Sequence, residues 1–129
     1  MHSLTIIQPD DWHLHLRDHE QMSTVVKDTA RQFARAIIMP NLTPPVVTSA
    51  QALDYRKRIL SALTEHKDGP QQFEPLMTLY LTDNTSAAEI KAASESPYIH
   101  AAKLYPAGAT TNSDAGVTHI DNISTALEA

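Results

Sequence analysis

Two histidines one residue apart, followed by an arginine, stand near the start of the chain in Asp11-Trp-His-Leu-His-Leu-Arg-Asp18. On a strand, side chains alternate faces, so His13, His15 and Arg17 would share one face while Trp12, Leu14 and Leu16 pack on the other. Two neutral imidazoles on one face can chelate a single cation, and imidazole is a favoured zinc ligand. A guanidinium aimed at a metal would be repelled, so Arg17 is better suited to clamp a carboxylate through two parallel hydrogen bonds. The competing reading is a histidine-rich strand satisfied by backbone hydrogen bonds, and the flanking Asp11 and Arg17 weigh against it.

Lys103 is the second unusual residue. It shares a strand face with Ile99, Ala101 and Tyr105. A lysine on an apolar strand loses solvation, its pKa falls, and the neutral amine can capture carbon dioxide as a carbamate able to bridge two metals. The alternative is a lysine that snorkels to the strand end or pairs with a carboxylate. Asn41, Arg17 and Thr82-Asp83 fall at C-terminal strand ends, where parallel α/β folds place ligands. Asn41 could donate to a carboxylate or serve as a turn residue beside proline. Thr110 and Thr111 could close over a substrate or form an ordinary polar loop tip. His2, His19, His66, His100 and His119 lie in loops, at ends or on the opposite face and are read as non-catalytic.

These residues need a scaffold. Strands are expected over 4–7, 12–16, 36–39, 76–81 and 99–105, and helices over 24–33, 49–66 and 86–94. Val25, Val26, Ala30 and Phe33 mark the buried side of the first helix; Leu53, Ile59, Leu60 and Leu63 mark that of the second. Residues 40–45 form a proline-rich loop, 67–72 a turn and 106–118 a long mobile loop, with a further helix opening over 119–129. Arg56, Lys57 and Arg58 form the single basic cluster and read as a solvated helix face. Strands alternating with helices imply crossovers and a parallel sheet, an α/β fold. A doubly wound sheet and a (β/α)8 barrel begin alike. With three glycines the chain carries no dinucleotide-binding fingerprint.

Composition narrows the chemistry. A net charge of -5 argues against nucleic acid or an anionic membrane as a partner. The absence of cysteine excludes disulfides, thiolate catalysis and Cys-type zinc sites. No signal-like N-terminus and no apolar run of roughly 20 residues is found, which makes a cytoplasmic protein the expectation.

Together the motifs resemble the dihydroorotases of the amidohydrolase superfamily, in their single-domain bacterial form. The carriers are the segment from Asp11 to Asp18, Met39-Pro-Asn-Leu-Thr-Pro-Pro45, Leu76-Met-Thr-Leu-Tyr-Leu-Thr-Asp83, and Ala102-Lys-Leu-Tyr-Pro-Ala107 followed by Thr110-Thr-Asn112. Four ordered segments covering essentially the whole chain are far more specific than a lone His-x-His. His19 departs from the pattern, which usually has a small residue there, so a local backbone change is expected. The resemblance implies the N-terminal half of a (β/α)8 barrel, with residues 1–129 as part of one domain. It implies two zinc ions per site, with His13 and His15 on the more buried one and a carboxylated Lys103 bridging to the second. Arg17 and Asn41 would hold the substrate carboxylate, and Thr110 and Thr111 would belong to a closing loop.

The reaction implied is reversible cyclisation of N-carbamoyl-L-aspartate to L-dihydroorotate in pyrimidine synthesis, by a homodimer. Zinc suits it because amide hydrolysis at neutral pH needs an activated water. A whole barrel typically needs about 250 residues. The resemblance further implies histidine ligands and a general acid/base aspartate beyond residue 129, and the chain by itself is expected to be an inactive, truncated piece. The alternatives are a non-catalytic interaction module, or another cyclic amidase of the hydantoinase or allantoinase type.

Overall fold

Apolar runs too short for helices alternate with segments whose apolar groups recur every three or four positions, and the chain folds accordingly. The structure, a computed structural model, describes residues 2–64 and 72–129. Strands β1 (Asp10–Leu14), β2 (Arg35–Ile38), β3 (Glu74–Leu81) and β4 (Ile99–Leu104) form one parallel sheet. Helices α1 (His19–Gln32), α2 (Ser49–Thr64) and α3 (Ala87–Ser94) connect them, and a 3-10 turn (Ile120–Ile123) leads into α4 (Ser124–Leu127).

The strands lie side by side in the order β1-β2-β3-β4. That order separates the two folds left open by the pattern. A doubly wound sheet reverses at a switch point, so some neighbours are not consecutive, whereas a barrel lays each strand beside the last. The architecture is therefore that of barrel strands with their helices. Ala36, Ile38, Met77, Leu79 and Ile99 of the sheet meet Met22, Val26 and Ala30 of α1 and Ala52, Tyr55 and Ile59 of α2 in the main core. A smaller cluster of Leu81, Val117, Ile123 and Ala126 joins the chain after β4 to the end of β3. No described helix is long and apolar enough to cross a membrane.

Several expectations change. Residues 4–7 form no strand; Leu4, Ile6 and Ile7 stand 88%, 72% and 93% exposed, with nothing in the described structure packed over them. Apolar composition alone makes no strand without a pairing partner. Strand β1, at the edge of the sheet, starts and ends two positions earlier than expected, and Trp12, expected to pack, is 65% exposed. Helix α1 begins at His19, earlier than the apolar period suggests, because Asp18 is extended and caps it by accepting the His19 N–H. Val25 is exposed and Phe33 is the cap residue.

Helix α2 turns a different stripe inward. Ala52, Tyr55, Ile59 and Ala62 are buried, while Leu53, Leu60 and Leu63 are half-buried flanks. Small alanines let the helix approach its neighbours closely, so packing density overrides the hydrophobic ranking. The expected end of that helix at residues 65–66, including His66, and most of the turn over 67–72 lie outside the described residues. The tail is a 3-10 turn and one turn of α-helix rather than a continuous helix.

Candidate metal and carboxylate site

The chemistry-bearing residues collect at the C-terminal ends of the strands. Asp11 Oδ1 accepts the backbone N–H of His13 at 2.9 Å, fixing the end of β1. His13 and His15 then face the same side, as the alternation predicts, with their Nε2 atoms 3.1 Å apart and ring centroids 5.1 Å apart. Nitrogens bound to one tetrahedral zinc at about 2.0–2.1 Å would lie about 3.3 Å apart, so the pair fits a shared cation. Burial lowers the His15 pKa, and the Arg17, His13 and Lys103 charges lower it further against an opposing Asn41 interaction. A neutral imidazole is the form that binds metal. The same neighbours show that Arg17, Asn41 and Lys103 gather around His15.

Arg17 holds its backbone at φ 62°, in the left-handed region. Its Nη1 is buried without a hydrogen-bond partner. Asn41, 3% exposed, also has an orphaned atom, Oδ1. A buried guanidinium N–H with no partner is a donor that a bound anion could satisfy, whereas Asn41 Oδ1 is an acceptor that faces the His15 imidazole. Lys103 is half-buried, with Nζ 5.6 Å from the Tyr105 ring centroid, and pairs in register with Tyr80. Tyr80 and Tyr105 stack with centroids 4.9 Å apart. Among the described residues, no group of three or more His, Cys, Asp or Glu could hold a metal.

The loop after β4, expected to be mobile, is tied down along its length. Asn41 Nδ2 donates to the Thr111 carbonyl and Asn112 Nδ2 to the Asn41 carbonyl, both at 3.1 Å. Tyr80 Oη donates to the Asn112 carbonyl at 3.3 Å. Ser113, fully buried, accepts the Thr110 N–H and donates to the Thr110 carbonyl. Thr110 and Thr111 are exposed at the tip. Gly116 lies so close to β4 that a Cβ would come within 2.2 Å of the Tyr105 carbonyl oxygen. Asp83, at the end of β3, accepts from the Thr118 N–H and hydroxyl, which lower its pKa, and so anchors the loop.

Beneath the site, the basic cluster on α2 is not the uniformly solvated face expected. Arg58 binds Asp18 through Nε (3.0 Å) and Nη2 (2.8 Å), and Arg56 stacks over Tyr98; Lys57 makes an exposed pair with Asp54. Burial raises the Asp18 pKa, but the Arg58 and His19 hydrogen bonds and charges outweigh it, leaving the carboxyl below its usual value. Tyr55 Oη donates to the Arg17 carbonyl, and burial raises the phenol's pKa, so it keeps its proton. Sequence reasoning missed Tyr55, Asn112, Ser113 and Gly116; of these, Asn112 alone stood within a quoted motif. His19 stands in the left-handed region, with φ 53°. A cavity of about 680 Å³ borders Arg17, His19 and Asn112 but neither histidine of the pair.

Consecutive parallel strands with imidazoles, guanidinium, amide and amine at one end define the class: an opening segment of a (β/α)8 barrel with its site at the C-terminal strand ends. The chain is similar, over nearly all its length, to the N-terminal portion of dihydroorotases. It is 68% identical over 126 residues to the dihydroorotase of Cupriavidus necator, covering 98% of this chain and 36% of that protein. The Ralstonia nicotianae dihydroorotase is 63% identical over 127 residues, with the same coverage. The crystal structure of dihydroorotase from Campylobacter jejuni superposes with a TM-score of 0.80 at 40% identity, covering 94% of this chain and 34% of that one. That of Saccharomyces cerevisiae, in complex with 5-fluoroorotic acid, gives 0.79 at 29% identity, covering 93% and 32%. No family model matches the chain. The chain spans about a third of the length of the curated relatives it matches.

Proposed function

We propose that this chain supplies the first part of the active site of a zinc-dependent dihydroorotase, acting on N-carbamoyl-L-aspartate and L-dihydroorotate. The observation that carries the reading is the His13–His15 pair, with Nε2 atoms 3.1 Å apart, together with the buried, unpartnered Arg17 Nη1 donor two residues further on. His13 and His15 would hold one zinc, and Lys103, carboxylated, would bridge to a second. When bound, the metals supply an activated water at neutral pH and polarise the ring carbonyl.

This chain's own residues do the holding. Arg17 presents parallel N–H donors to the substrate carboxylate, and the second Nδ2 N–H of Asn41, the first being held by the Thr111 carbonyl, would add one more. Their work is orientation: fixing the carboxylate sets the ring amide against the metal pair. Thr110 and Thr111 would offer hydroxyls from the loop that Asn41 and Asn112 already hold above the site. The general acid/base aspartate and further histidine ligands are expected from the part of the barrel that the relatives have and residues 1–129 lack.

The test joins residues 1–129 to the remaining portion of the Cupriavidus necator relative. Zinc content and hydrolysis of dihydroorotate and hydantoin are then measured. Two zincs per chain and turnover of dihydroorotate well above hydantoin support the reading. Preference for hydantoin points to another cyclic amidase, and a zinc-free, inactive product sinks the enzyme reading.

A further inference from the structure

We infer that Tyr55 and Arg58 of α2 are positioning residues for Arg17, setting the affinity of the site for the carboxylate of its substrate; this rests on the dihydroorotase reading above. Between β1 and α1 the backbone makes a left-handed turn. Arg17 and His19 both adopt positive φ, at 62° and 53°, a conformation that side chains with a Cβ rarely hold unaided. Something must hold the turn in place, and α2 does so at consecutive points. Tyr55, 1% exposed, reaches up with its hydroxyl to the Arg17 carbonyl. Arg58, one helical turn on, grips the Asp18 carboxylate in a fork of two hydrogen bonds at 3.0 and 2.8 Å. The same carboxylate accepts the His19 N–H at 2.9 Å. The Arg58 guanidinium lies 5.3 Å from the Tyr55 ring centroid, so the two props also brace each other.

The Arg17 guanidinium is not anchored at Nη1, which is buried without a hydrogen-bond partner. Its aim is therefore inherited from the backbone. His13 lies where the β1–β2 register shifts and is held by the Asp11 carboxylate, which accepts its N–H at 2.9 Å, so the histidine pair has a support of its own apart from α2. Loss of the Tyr55 hydroxyl would free the Arg17 peptide to relax from its left-handed conformation and swing the guanidinium, leaving the metal pair where it is. Carboxylate affinity and metal binding should thus separate.

The experiment uses the zinc-loaded, completed enzyme and the variants Tyr55→Phe, Arg58→Gln, Arg17→Ala and Tyr55→Phe/Arg17→Ala. In Tyr55→Phe, zinc per chain stays at the unmodified value. KM for dihydroorotate rises about tenfold, the scale of one hydrogen bond to a charged group, and kcat changes much less. Inhibition by orotate, which carries the carboxylate, weakens in parallel; inhibition by uracil, which lacks it, does not. In the Arg17→Ala background the Tyr55 change adds nothing, since the group it positions is gone. Arg58→Gln gives the same pattern and serves if Tyr55→Phe fails to fold. An active unmodified enzyme whose Tyr55→Phe and Arg58→Gln forms keep their KM overturns the inference alone. Additive effects with Arg17→Ala, or zinc lost together with affinity, also overturn it by showing a general structural role. An unmodified enzyme that binds zinc but does not turn over dihydroorotate removes the functional reading, and the inference with it.

Discussion

Replacing His19 by glycine should stabilise the protein. His19 opens α1 with φ at 53° and an exposed side chain. A left-handed residue bearing a Cβ carries a cost of about 1–2 kcal/mol from contact with its own backbone. Glycine removes that cost but adds unfolded-state entropy worth about 0.5–1 kcal/mol. The balance is a gain of about 0.5–1 kcal/mol, or about 2–4 °C in Tm for a chain of this size. His19→Ala is the control, since it deletes the imidazole yet keeps the Cβ, and it should leave stability near the starting value. Urea unfolding followed by far-UV circular dichroism gives both midpoints at unchanged m-value. A glycine variant no more stable than the alanine variant would refute the strain argument, and with it the premise that α2 holds this turn against its own preference.

Other perturbations bear on the loop, the ion pair and the bridging amine. Gly116→Ala drives a methyl group into the Tyr105 carbonyl and breaks the Val117 N–H to Tyr105 bond of 2.8 Å and the Ala107 N–H to Val117 bond of 3.1 Å. At about 1 kcal/mol per bond it should cost about 2 kcal/mol or more in urea unfolding. The Asp18 carboxyl titrates below its unfolded value, so its contribution is present above the ordinary carboxylate range and is lost as pH falls through the lowered folded value. Asp18→Asn should therefore lower Tm at pH 7 and flatten its decline on acidification, measured by thermal scans from pH 7 to 3. Lys103→Ala in the completed enzyme should reduce bound zinc below two per chain and lower kcat at least a hundredfold, measured by elemental analysis and steady-state rates; full zinc and activity would remove Lys103 from the site.

The four strands of the sheet were legible because their apolar runs are bounded by turn-forming residues and separated by helices, although the run 4–7, bounded by Pro9 and Asp10, carried the same signal and forms no strand. The order of those strands was not, since a barrel and a doubly wound sheet share the same alternation until pairing is seen. His13 and His15 could be placed on one face from strand periodicity alone. Arg17 reached the site by a different route: it lies past the end of β1, where alternation no longer applies, and a left-handed turn aims it. Residues that support others were hidden for a related reason. Tyr55 looks like an ordinary core aromatic and Arg58 like a solvated charge until the turn they hold is seen beside them. Gly116 became informative when the Tyr105 carbonyl was seen against it.

The central claim, that residues 1–129 bring a zinc-binding histidine pair and a carboxylate-binding arginine to one end of a dihydroorotase barrel, is tested most directly by one comparison. Zinc content and dihydroorotate hydrolysis are measured on the 129-residue chain alone and on the chain completed with the rest of a relative's barrel. The account predicts little zinc and no turnover for the first, and two zincs with turnover for the second. Two zincs and turnover in the short chain alone would contradict it, because the ligands assigned to the rest of the barrel would then be unnecessary.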